Sequence, residues 1–246
     1  MNLILVSKEE ISSDGTVNIN DSYRLKSINS ILKSGSASSL KTGIIGGKLG
    51  YAEVADINYS DGLIESVVLD TSSLDMPPPE PLDLILICAM QRPKTLKKIL
   101  QTVTALGVKK IYIIETWKVE KSYWTSSLLN EEELRAQLLL GLEQCVDTIL
   151  PEVCIKRAFR PFVEDELPGI ASGRLSFVAH PYTESCELSL PVAGPVTLAV
   201  GPEGGFTDYE VKKFNDTGFI PVSLGDRILR SEYAVTALIA LLKSSL

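Results

Sequence analysis

Residues 198–207 read LAVGPEGGFT, a run of small apolar residues that ends in a glycine and turns sharply around Glu203. A short continuous apolar run bounded by Gly-Pro is the pattern of a strand buried on both faces. Glycines at the exit of such a strand let backbone N–H and C=O groups approach a ligand closely, and Pro202 stiffens the turn before anything binds. Most glycine turns after strands are only turns, and a carboxylate at 203 is also favourable for lying near the start of a helix opened by Thr207. The G-x-G-x-x-G spacing of a dinucleotide fingerprint is absent. Some twenty residues on, SLGDRILRSEYAVTALIALL (223–242) repeats the arrangement: a strand end, a glycine turn, then Arg230 and Glu232 before an apolar helix. Two adjacent parallel strands ending in these turns wall one crevice, with Arg230 and Glu232 at its edge. Those two residues do not share a helical face, so a joint role requires Arg230 to sit in the loop before the helix. Their ordinary readings are a surface salt bridge and a first-turn carboxylate.

The surrounding grammar is that of an α/β domain. LILICA is a continuous apolar strand; Leu96, Ile99, Leu100, Val103 and Leu106 keep helical spacing until Gly107; IYIIE is the next strand. Glu131 to Val146 reads as a second amphipathic helix, and LSFVA and VTLAV as buried strands. Thr207 with Glu210 three residues on forms a capping box, FIPVSL is a strand, and Ser231 to Leu242 is an apolar helix. Strands and helices alternating in this way predict a parallel sheet covered on both faces, with its ligand at the carboxyl ends of the strands. Residues 1–70 differ, with short strands at NLILV, TVNI, YAEVADI and LIESVVL and a helical turn or two around Leu25 to Leu32. GIIGGKLG lacks the Ser or Thr of a phosphate loop after its lysine and reads as a hairpin turn. TSSLDMPPPEP, with three consecutive prolines, predicts a stiff connector over 71–81, which leaves 82–246 as the second domain.

The chain has 246 residues, 45% of them apolar, enough for a buried core. Its four cysteines, at 88, 145, 154 and 186, match neither a zinc pattern nor a small disulfide framework, and read as reduced thiols in a cytoplasmic protein. The apolar run LILV at the start is too short for a signal-peptide core, and no segment offers the ~20 apolar residues of a membrane span. Neither a membrane nor DNA is expected as a partner, and no metal. A net charge of -7 argues at first against a polyanion, but it hides a segregation. Arg24 to Gly50 holds five basic residues and no acid, and Arg92 to Lys121 eight against Glu115 and Glu120. An ordinary solvated face is one reading of these stretches, and nucleic-acid contact the other. The lone histidine, His180, reads as a neutral residue at a strand end, and Trp117 and Trp124 as core, dimer surface or base-stacking groups.

GPEGGFTDYE followed by GFIPVSLGDRILRSEYA closely resembles the carboxyl-terminal signature of the SPOUT methyltransferases that methylate uridine N3 in small-subunit ribosomal RNA. HPYTESCELSLP (180–191), TLKKILQTVTALGVKKIYIIET and LEQC (142–145) resemble further segments of that family. The resemblance implies a trefoil-knotted parallel sheet behind a small N-terminal PUA-like β-barrel that binds RNA. It also implies a homodimer acting on ribosomal RNA or the small ribosomal subunit. S-adenosylmethionine is expected against Leu198, Val200, Gly201, Glu203, Gly205, Leu224, Gly225, Ile228 and Leu229, with Arg230 and Glu232 as catalytic groups. Arg24, Lys33, Arg92, Lys94 and Lys97 are the expected RNA contacts. Tyr233 stands where the family usually carries threonine, and Asp147 near a usual arginine. A noncatalytic RNA-binding or ribosome-assembly relative, and a SPOUT enzyme with another RNA target, stay open as alternatives at this point.

Overall fold

The computed structural model describes residues 2–33, 38–182 and 194–243. It divides into two compact units, one of residues 1–79 with 142–150, the other of residues 80–141 with 151–246. The boundary thus falls inside the proline run: Leu74 is buried and Met76 bridges to Leu49, so most of the segment read as a connector belongs to the first unit.

The first unit is built on β1 (Ile4–Val6), β2 (Thr16–Ile19), β3 (Ser39–Ile44), β4 (Leu49–Ser60) and β5 (Leu63–Asp70), ordered β1-β3-β4-β5-β2. Only β1 and β3 run parallel; the remaining pairs are antiparallel. The glycine cluster 43–50 does turn between β3 and β4. Where the sequence promised a turn or two of helix, α1 spans Ser22–Lys33 and buries Ile28 in a core with Val6, Val17, Leu40 and Leu69. Residues 142–150 join this unit closely: Thr148 donates its hydroxyl to the Gly47 carbonyl, and a side chain on Gly43 would lie 2.6 Å from the Thr148 methyl.

The second unit holds a six-stranded sheet in which every pairing is parallel. Its strands are β6 (Leu82–Ala89), β7 (Val108–Ile114), β8 (Glu152–Lys156), β9 (Leu175–Ala179), β10 (Val196–Val200) and β11 (Ile220–Val222), ordered β11-β9-β10-β6-β7-β8. The expected adjacency of β10 and β11 is therefore corrected: β9 lies between them. One face packs Ile87, Ala89, Val178 and Ala199 against Phe162, Phe206, Phe214 and Phe219. Phe162 comes from a helical stretch over 159–170, Phe214 from α6, and Phe206 and Phe219 from the chain on either side of α6. The stretch comprises α4 (Phe159–Pro161), a π-helical turn and α5 (Leu167–Ile170); α6 spans Asp208–Asp216. Alternate strand residues, such as Leu86 and Leu198, face the other way, where α2 (Pro93–Ala105) and α7 (Ser231–Lys243) pack side by side. Among the described residues no helix is long and apolar enough to cross a membrane. Cys88, Cys145 and Cys154 are free thiols, and Cys186 lies outside the described residues.

Helix α3 (Glu131–Cys145) runs along α2, with Lys97 paired to Glu133 at 3.4 Å and Gln101 bonded to Gln137 at 2.7 Å. One turn further the helices meet at Gly141, where an added Cβ would lie 2.7 Å from both the Gln101 carbonyl oxygen and the Thr104 Cβ. In an exposed helix interior Gly→Ala gains about 1 kcal/mol. Here overpacking against backbone outweighs it, and Gly141→Ala is expected to destabilise the protein by about 1–3 kcal/mol. A fall in the thermal midpoint checks this, and a rise rules it out.

Candidate active site

Both glycine turns line one cleft at the carboxyl edge of the sheet, together with the end of β9. Of the expected cofactor residues, Val200, Gly201, Glu203, Gly205, Leu224, Gly225, Ile228 and Leu229 are in its wall; Leu198 is buried inside β10 and is not. The third wall, residues 179–182, was not foreseen. The backbone N–H of His180 donates to the Val222 carbonyl at 2.9 Å, so β9 carries its exit loop into the gap between the two turns. Strand order, which hydrophobic periodicity does not encode, was the missing signal.

The GPEGG loop is held from several sides. Gln91, 1% exposed, donates its amide N–H groups to the carbonyls of Ala89 at 3.0 Å and Gly201 at 2.9 Å, stapling the ends of β6 and β10. Lys118 donates from Nζ to the Gly204 carbonyl at 2.9 Å. Thr207 and Glu210 form the foreseen capping box, and the other Glu210 oxygen accepts from the Trp117 backbone at 2.7 Å. Glu203 faces neither the helix opened by Thr207 nor any group within its own loop. Its carboxylate accepts from Arg92 Nε at 2.8 Å and from the Thr95 hydroxyl at 3.3 Å, at the start of α2. The charge clasps two loops together and complements the positive end of that helix.

Such bracing leaves bare backbone facing the cleft. Gly205 and Gly225 have φ of +68° and +96°, and a Cβ at either would meet nothing within 4 Å. A side chain on Gly201, by contrast, would lie 3.0 Å from the Phe206 nitrogen, inside the folded loop. Val200, Val222, Leu224, Ala234 and Leu238 supply apolar wall.

Arg230 lies in the loop before α7, exposed, its carbonyl accepting from the backbone of Tyr233 and Ala234. Glu232 is half-buried in the first turn. Neither lines the cleft, but both neighbour residues that do, Leu229, Ser231 and Ala234. Tyr233 is 57% exposed and takes no part in the wall. Asp147 is buried in the first unit, its carboxylate accepting from the Ile149 backbone at 2.9 Å. Arg24 binds Glu10, Asp21 and the Leu5 carbonyl with three of its donors, an internal assignment. Arg92 and Lys94 are exposed, Lys97 pairs with Glu133, and the side chain of Lys33 lies outside the described residues.

Residues 78–243 match the family model of the RNA methyltransferase domain. The chain belongs to this family. It is 29% identical over 242 residues to the ribosomal RNA small subunit methyltransferase E of Treponema pallidum, covering 96% of this chain and 88% of that one. Among solved structures, a putative methyltransferase from Legionella pneumophila with the bound cofactor SAM aligns over 99% of this chain and 97% of its own, with a TM-score of 0.75 at 22% identity. A ribosomal RNA small subunit methyltransferase E from Neisseria gonorrhoeae bound to S-adenosyl methionine aligns over 98% and 95%, with a TM-score of 0.71 at 22% identity. At these identities the two structures speak for the fold.

His180 also lines the cleft, and its Nδ1 is buried without a partner. Burial pushes the imidazole below its ordinary value of 6.5; Asp208 opposes the shift and Lys118 adds to it. With a folded-state pKa below the unfolded one, the unfolded chain takes the proton first as pH falls. The contribution to stability is complete above about pH 6.5 and is lost as pH drops through the folded value. This is the chain's single histidine. Denaturant midpoints measured between about pH 5.5 and 7.5 are therefore expected to fall toward acid, with a flatter profile in His180→Gln; equal slopes in the two proteins contradict the assignment.

Proposed function

We propose that this chain transfers a methyl group from S-adenosylmethionine to N3 of a uridine in small-subunit ribosomal RNA. The observation that carries the reading is the cleft where two glycine turns present side-chain-free backbone beside an apolar wall. The T. pallidum relative, matched over nearly the whole chain, gives the substrate class. The chemistry of the wall suits this donor: bare N–H and C=O groups for its polar ends and aliphatic side chains for its adenine. Val200, Gly201, Gly205, Leu224, Gly225, Ile228 and Leu229 are assigned to hold it, and Glu203 to keep the loop in shape. The cleft holds about 140 Å³, below the usual range for a ligand site.

When bound, S-adenosylmethionine supplies an electrophilic methyl group on a sulfonium. The chain's part is to align uridine N3 with that group and to manage the N3 proton. Arg230 is assigned to stabilise negative charge on a uracil carbonyl oxygen through its forked donors. Glu232 is assigned either to orient Arg230 or to take the N3 proton. Arg92, Lys94 and Lys97 form the proposed RNA-facing set in this unit; Arg24 is not carried over, because its donors are engaged internally. The five-stranded first unit supports a PUA-like RNA-binding barrel, and the return of the chain from β10 to the far side of β9 supports a trefoil knot. A homodimer working in the cytoplasm completes the reading.

The test is transfer of labelled methyl from S-adenosylmethionine to undermethylated small subunits and to free small-subunit RNA, with the product mapped. Methyl at uridine N3 is expected; cofactor binding without transfer, or label on another nucleoside, overturns the reading. Arg230→Ala is expected to lower kcat about 10²- to 10³-fold while sparing donor affinity, and equal loss of both contradicts its role. Glu232→Gln separates the two duties, since glutamine orients but accepts no proton. Gly201→Ala, which displaces the loop, is expected to weaken donor binding about tenfold by calorimetry, a loss of ~1.4 kcal/mol.

A further inference from the structure

A second groove, of about 870 Å³, lies at the same edge of the sheet, beyond the ends of β7 and β8. Trp117 lines it and is 85% exposed, more than any other large apolar side chain among the described residues. Tyr209, 53% exposed, and the half-buried Phe159 also line it. Around these rings stand three cations, Lys121, Arg157 and Arg160. Of the two carboxylates present, Glu210 is buried and engaged by Thr207 and the Trp117 backbone, which leaves Glu115 as the other acid. Thr116, also in the wall, keeps a buried hydroxyl without a partner.

The groove is built rather than incidental. The Trp117 backbone is tied to α6 through Glu210, and Arg157 is seated over the Trp124 ring, 5.0 Å from its centroid. Arg160 is steadied by Glu164 at 2.8 Å. The next residue after Trp117, Lys118, holds the Gly204 carbonyl, so the groove and the GPEGG loop share one segment of chain. An exposed indole among fixed cations suits a flat ring attached to phosphate, and a base held in a duplex offers no free face to it.

We propose that this groove binds one unstacked nucleotide of the RNA substrate, flanking the target uridine, with its base on Trp117 and its phosphate facing Arg157, Arg160 and Lys121. This rests on the RNA-methyltransferase reading above and adds a substrate subsite to it. Trp117 is here a positioning residue: it holds the strand and touches no reacting atom.

Trp117→Ala is expected to raise the KM for small-subunit RNA about 5- to 150-fold, with kcat at saturating RNA and the Kd of S-adenosylmethionine within about twofold of wild type. Trp117→Phe is expected to recover most of the loss. An unchanged KM overturns the proposal, as does a change in sedimentation mass in Trp117→Ala, which assigns the ring to a contact between copies. Should the wild type methylate no RNA, the enzyme reading fails on its own, and a direct readout decides the groove. In a Trp124→Phe background Trp117 is the only tryptophan; saturable quenching of its selectively excited emission by an unstructured oligoribonucleotide supports the site, and its absence overturns it. Loss of Arg157 and Arg160 together is expected to reduce the salt slope of that binding by about 1.4.

Discussion

The site depends first on one buried amide. Gln91 reaches from the end of β6 to the Gly201 carbonyl while also donating to Ala89, so a single side chain ties two strand ends together, alongside weaker donors from Ser231 to Gly201 and Cys88 to Ala89. Buried carbonyls are paired because an unmet one costs about 1–3 kcal/mol, and the shorter of the two side-chain bonds to Gly201, that from Gln91, constrains where β10 may turn. With the turn held from beneath, the glycines of the loop above it need no side chains to keep its shape. That freedom is what lets Gly205 take a left-handed backbone and offer bare polar groups to the cleft. Gln91 also retains a buried Oε1 with no partner, so its burial serves the geometry of the loop at some expense in hydrogen bonding.

The carboxylate in the middle of GPEGG follows from the same logic. A glycine-rich turn has little stiffness, and Glu203 adds a charged tether to Arg92 and Thr95 across the gap to α2. Both ion-pair partners are substantially exposed, so the pair contributes little to global stability. Its effect is local: it limits how far the tip of the loop swings. Lys118 acts likewise through the Gly204 carbonyl.

Much of this was legible in the sequence, and the parts that were not share a cause. Buried strands announced themselves as apolar runs, and α2, α6 and α7 through helical spacing and caps, because those signals are local. Strand order is not local. Nothing within GPEGG or LGDRIL states that β9 lies between them, and His180, read as a bystander at a strand end, sits in the cleft for that reason. Strand β8, EVCIK, escaped notice because as an edge strand it is only partly buried and lacks an apolar run. Helix α1 was underestimated because its polar residues, among them Arg24, are stabilised by partners distant in sequence, Glu10 and the Leu5 carbonyl. The same distant partners turned an expected RNA contact into an internal one. Arg230 is the converse: its place in the loop before α7 was required by its spacing from Glu232, and the fold puts it there.

Charge is where sequence and structure have to be read together. The basic stretch Arg92–Lys121 divides by position in the sheet. Lys97 and Lys110 form surface pairs with Glu133 and Glu152. Arg92, Lys118 and Lys121 instead follow strand or helix boundaries at the carboxyl edge, where Arg157 and Arg160 join them from the end of β8. Polyanion binding responds to the local field and the number of phosphates neutralised, and net charge enters only weakly at a Debye length of about 8 Å. An acidic chain can therefore carry a local excess of cations at one edge of its sheet despite a net charge of -7.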